Sequence, residues 1–219
     1  MYNGNKINKE IIANYLLSEF DILHQRADEI ERSVAKKTDF FIALTTAILG
    51  GFVVIFGKQM DEKVTFFVLL IALILLQIFG WTIFKQSVDL STSSTLFYRR
   101  AGRIRRWFLD NSPGIERYVP FPVTDELPPL YVSHSPMRYL NTTVVGINAA
   151  LLALFVMVLF WLYGNLNFFL IGILGTIAFI FMFYLQFSFY RNHLQKREEK
   201  ERREGKIHFP RQHDERKGL

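Results

Sequence analysis

Charged side chains along this chain are confined to a few segments, separated by long runs that contain none. The first run goes from Phe40 to Gly57, bracketed by Asp39 and Lys58, and is 18 residues long. At about 1.5 Å per helical residue it reaches about 27 Å, just enough for a hydrocarbon core of about 30 Å. A second run covers the 21 residues from Val64 to Phe84. A third extends from Tyr139 to Tyr190, and its 52 residues are too many for one crossing. It divides at Gly164-Asn165-Leu166-Asn167, which predicts helices near Thr142–Tyr163 and Phe168–Tyr190. Backbone in lipid must close its own hydrogen bonds, and helices do so. The expected fold is an all-α integral membrane protein with four transmembrane helices.

Between the runs the pattern changes to a helical period. Leu16, Phe20, Leu23, Ala27, Ile30 and Val34 recur at alternating spacings of four and three, a heptad seam. Asn8 is the expected N-cap of this helix. No proline or glycine interrupts Lys6–Leu49, so the helix is expected to continue into the first span. The seam needs a partner, either another part of this chain or a second copy around an axis. Leu90, Phe97, Ala101, Ile104 and Phe108 form a second such series, which extends the second span as one rod toward Asn111. From Ser112 to Pro136 come six of the seven prolines, a density that excludes a continuous helix. Tyr118, Val119, Phe121, Val123, Leu127, Leu130 and Tyr131 are interleaved with them, so this stretch is expected to strap across the neighbouring helices.

Charge then orients the chain. The two short loops, Lys58–Lys63 and Gly164–Asn167, hold two basic residues, and the remaining 24 of 26 lie in the other three segments. The positive-inside bias assigns those three to the cytosol. The resulting organisation is a cytosolic amphipathic helix (1–38), a transmembrane hairpin (39–85), a cytosolic helix with the proline-rich strap (86–140), a second transmembrane hairpin (141–190) and a basic cytosolic tail (191–219). The expected location is the inner (plasma) membrane, with both termini cytosolic. The tail is expected to continue the fourth helix to about Glu204 as a solvated end and to be disordered beyond Gly205. Its basic residues alternate with Glu198, Glu199, Glu201 and Glu204, which argues against direct nucleic-acid binding.

Candidate chemistry is sparse. With no cysteine there is no disulfide, thiolate metal site or cysteine nucleophile. His24, His134, His193, His208 and His213 show no ligand spacing, and no enzyme motif is present, so neither a metal, a cofactor nor an enzymatic activity is expected. Proton relays, ion coupling and voltage sensing use charges inside spans, and here the spans have none. What remains is neutral: Thr45, Thr46, Gln77, Asn148, Thr176 and Gln186 as interhelical hydrogen-bonding or pathway-lining groups. Small residues at helical spacing (Ala43, Ala47 and Gly51; Gly146 and Ala150; Ala149 and Ala153; Gly172 and Gly175) allow close helix approach. Arg99, Arg103 and Arg106 share a helix face and are candidates for binding an anionic ligand, with ion pairing inside the chain the plainer role.

This layout of cytosolic helix, span pair and cytosolic insert resembles the small multi-span membrane effectors of bacterial antiviral defence systems, those beside CRISPR nucleases or nucleotide-signal synthases. The resemblance is architectural and carries over no functional residue. It implies a homo-oligomeric pore or channel-like effector in the lipid bilayer, gated from its cytosolic side and disturbing the inner membrane. The trigger it implies is a cytosolic nucleotide or nucleoprotein. The alternative is a non-conducting scaffold or regulatory subunit that recruits a cytosolic partner.

Overall fold

Backbone hydrogen bonds in this chain close within helices, as long apolar stretches without breakers require. The computed structural model describes residues 4–56, 61–112, 114–118, 127–130, 136–163 and 167–204. Four long helices follow in order: α1 (Gly4–Phe56), α2 (Glu62–Asn111), α3 (Pro136–Tyr163) and α4 (Phe168–Arg203). All four are long and apolar enough to cross a membrane. α1 and α2 each pass without a break from polar heptad to apolar run, as the period predicts. α1 already starts at Gly4, so Asn8 lies a turn inside the helix and does not cap it.

The other helix ends have identifiable causes. Asp61 caps α2: its carboxylate accepts from Lys63 N–H at 2.9 Å and its carbonyl from Thr65 N–H at 3.0 Å. Asn167 does the same for α4, its side-chain oxygen accepting from Phe169 N–H at 3.3 Å. α2 stops before Gly114, whose φ of +96° is left-handed and disfavoured for residues with a Cβ. A short 3-10 turn, Ile115–Tyr118, follows where the proline spacing suggests only extended chain. The remaining expectations for the strap at Val119, Phe121, Val123 and Tyr131, and for the tail beyond Gly205, lie outside the described residues.

The chain divides into two compact units, Met1–Arg32, Leu90–Val132 and His193–Leu219 forming one, and Ser33–Asp89 with Ser133–Asn192 the other. In the first unit the two heptad series meet each other. Leu23, Ala101 and Ile104 form a buried core, with Leu16, Phe20, Phe97 and Phe108 packed on it. Of the two partners open to the α1 seam, another part of this chain is the one seen here. Its unit 1 positions Leu16, Phe20 and Leu23 pack on α2, Ala27 is buried and Ile30 half-buried; Val34, fully buried, belongs to the second unit. Polar contacts flank the seam: Ser94 donates to Glu31 at 2.9 Å and Tyr98 to Asp28 at 3.4 Å. Partial burial, with these two carboxylates beside it, pushes the Tyr98 phenol up to about 12. Burial alone pulls the Arg105 guanidinium below its ordinary range, and the group lies 5.2 Å over the Phe20 ring.

In the second unit α1 and α2 run antiparallel, since Lys37 donates to Gln86 at 3.1 Å while Phe40 meets Phe79 at 6.1 Å between ring centroids. Phe41, Phe84 and Leu73 are fully buried there. Gly175 of α4 lies against Met157 and the Ala153 carbonyl of α3, a close approach that a side chain would block. Threonines in these helices mostly turn their hydroxyls onto the carbonyl four residues back, as Thr38, Thr82, Thr142, Thr143 and Thr176 do.

Candidate functional site

Each of the four helices contributes a candidate neutral polar side chain to the second unit: Thr45 from α1, Gln77 from α2, Asn148 from α3 and Gln186 from α4; Thr38, Thr65, Ser87 and Asn141 are buried there as well. Asn148 and Gln186 are completely buried, and the Asn148 amide donates to Gln186 Oε1 over a long 3.5 Å. Asn148 Oδ1 and Gln186 Nε2 have no hydrogen-bond partner, nor do the buried amide atoms of Gln77 or the Thr45 hydroxyl. A buried amide left unpaired costs roughly 1–3 kcal/mol, so these groups call for a partner such as water.

Glycine makes the arrangement possible. A Cβ on Gly80 would overlap Asn148 Oδ1 and come within 2.6 Å of Phe41 Cζ. α1, α2, α3 and, through Gln186, α4 therefore converge on one level. Gln77 lies one turn from Gly80 along α2, and Thr45 one turn from Phe41 along α1. The level is close to one end of the apolar runs: Gln186 precedes Arg191 and Gly80 precedes Lys85 by five residues each, about 7.5 Å of helix. The two remaining candidates do not join it. Thr46 and Thr176 are exposed on the outside of their helices, and Thr176 bonds its own backbone at 2.9 Å. The layer is neutral, carries no titrating proton near pH 7, and can hold water or the partly stripped shell of an ion by amide dipoles.

The arginine face in the first unit is arranged differently from the open anion surface that spacing suggests. Arg99 is 4% exposed at its side chain, and its Nη2 donates to both oxygens of Glu198, at 2.9 and 2.7 Å. Its Nε donates to the Pro128 carbonyl at 2.9 Å, and Leu130 N–H donates to the same Glu198 carboxylate at 3.3 Å. Arg106 pairs along its own helix with Asp110 at 2.9 Å, and Arg103 is half-buried. The three therefore do not present a common open set of donors. Nor is the start of the tail a solvated end, because Leu194 is buried and Glu198 is clasped.

Sequence reasoning passed over Gly80 and Glu198. Glu198 stands in a mixed charge run, yet it falls four residues after Leu194 and eight after Tyr190, the two buried positions of that stretch. That spacing was a signal that the face was occupied. Among the described residues no group of His, Asp and Glu is arranged to hold a metal ion. No family model, curated protein or solved structure matches this chain.

Proposed function

We propose that this is a four-span protein of the inner (plasma) membrane, with both termini and the middle segment cytosolic, that works as a homo-oligomeric channel-like effector gated from the cytosolic side. The observation that carries this reading is the buried Asn148–Gln186 amide pair, with Gln77 a helical turn from Gly80 and Thr45 a helical turn from Phe41. These amides lie between helices whose apolar runs carry no charge, and several of their atoms have no protein partner. Neutral amides can hold water or the partly stripped shell of an ion when neighbouring copies part the bundle. α1, α2 and α4 each contribute residues to both compact units, so a change in the polar unit has continuous helices through which to act. The resemblance in layout to antiviral membrane effectors makes disturbance of the inner membrane the natural consequence of opening.

A second reading is a non-conducting scaffold or regulatory subunit. It is favoured by Phe41, Leu73 and Phe84, which fill the interior that a single-chain path would need. A pore therefore requires several copies. Conductance in proteoliposomes separates the two readings without knowledge of the trigger. Gln186→Glu places a charge in the layer and should hydrate it permanently, giving ion flux where the wild type is silent. Asn148→Leu with Gln186→Leu should keep the assembly and remain silent. If Gln186→Glu is folded but passes no ions, or light scattering finds a monomer, the scaffold reading stands.

A further inference from the structure

We propose that the Arg99 cradle is an oxyanion-binding site whose ligand position is held by the chain's own Glu198, and that a phosphoryl anion displaces this carboxylate. The two halves of the clasp differ in how firmly they are built. The donor half is fixed: Arg99 is buried, its Nε is tied to the Pro128 carbonyl at 2.9 Å, and Leu130 beside it is buried. Guanidinium and Leu130 N–H thereby converge on one carboxylate, three donor contacts in all. The acceptor half is looser. The Glu198 side chain is 22% exposed, and α4 ends at Arg203, five residues on. Lys196, Arg197, Glu199 and Lys200 around it are exposed, and Leu194 is the last buried residue of the described α4.

Such a carboxylate is a tethered stand-in for a free anion. A guanidinium Nη2 flanked by a backbone N–H can donate to the oxygens of a phosphoryl group as it does to those of Glu198. Simple release is disfavoured, because it leaves Arg99 buried and uncompensated, so Glu198 leaves only by exchange for another anion. Exchange removes the polar anchor of the last turns of α4. The site belongs to the first unit, and its occupancy is measured without conductance; only the step from occupancy to gating rests on the proposed channel function.

The test is hydrogen exchange on the full chain in zwitterionic nanodiscs, titrated with inorganic phosphate against chloride at matched ionic strength. The wild type should lose protection saturably over Lys196–Arg203 while the Leu130 amide stays protected. Glu198→Gln, with the competing carboxylate gone, should bind phosphate at least about tenfold more tightly. Arg99→Gln should show neither effect. A wild type whose α4 terminal turns keep their protection at saturating phosphate overturns displacement, whether or not Glu198→Gln binds the anion. Nanodiscs containing phosphatidylglycerol, without added phosphate, identify the source. Loss of protection there assigns the site to a lipid headgroup, and loss with phosphate alone assigns it to a soluble ligand.

Discussion

At the scale of single residues, two glycines with the same backbone freedom serve opposite needs. Gly80 is required, because a Cβ would enter the space of Asn148 Oδ1 and the Phe41 ring. Gly50 has nothing within 4 Å of a built Cβ and carries only the entropic cost of glycine in a helix. We expect Gly80→Ala to lower stability in detergent by about 1–3 kcal/mol, as overpacking does. Gly50→Ala should raise it by up to about 1 kcal/mol through helix propensity. Equal effects of the two in a denaturation series would mean that the amide layer is not closely packed. Gly80 stands outside any small-residue row at regular spacing along α2, so the sequence does not single it out. The need for glycine here comes from a side chain on another helix, which no spacing rule within α2 reveals.

At the scale of elements, period and breakers carried most of the helical architecture. The heptads of α1 and α2 and the proline cluster after Asn111 were legible because each reflects one helix's own burial pattern. What each seam packs against was not legible, because two apolar stripes are complementary to each other and equally to a second copy. Within the chain, Leu23 is set against Ala101 and Ile104. Asp61 and Asn167, an acid and an amide directly before apolar runs, carry a cap signal in the sequence that the structure uses. A sharp consequence follows for α1. Leu23→Ala should cost about 2–4 kcal/mol by cavity formation, whereas Ile22→Ala, at an exposed neighbour on the same helix, should stay within about 0.5 kcal/mol. The loss for Leu23→Ala should be independent of protein concentration. A concentration-dependent loss would return the seam to the interface between copies.

At the scale of the whole molecule, two independent arguments bear on the proposed topology. The distribution of Lys and Arg is the basis of the proposed absolute orientation, since 24 of 26 basic residues lie outside the two short loops. Pairing gives a relative one. Ser94 bonds Glu31, and Arg99 bonds Glu198 and the Pro128 carbonyl, so the N-terminal part of α1, the end of α2, the strap and the end of α4 must share one side of any bilayer. Only an even number of crossings between these segments allows that, as two hairpins provide. The chain has no cysteine, so single cysteines report accessibility without background. In intact spheroplasts an impermeant maleimide should label Asp61→Cys and Asn167→Cys. It should reach Tyr118→Cys and Glu199→Cys, both exposed positions, only after the membrane is opened. Labelling of Tyr118→Cys and Glu199→Cys from outside, with Asp61→Cys and Asn167→Cys protected, would reverse the charge argument and leave the pairing argument intact. Labelling that separates Tyr118→Cys from Glu199→Cys would break both, because Arg99 and Glu198 cannot then meet across the bilayer.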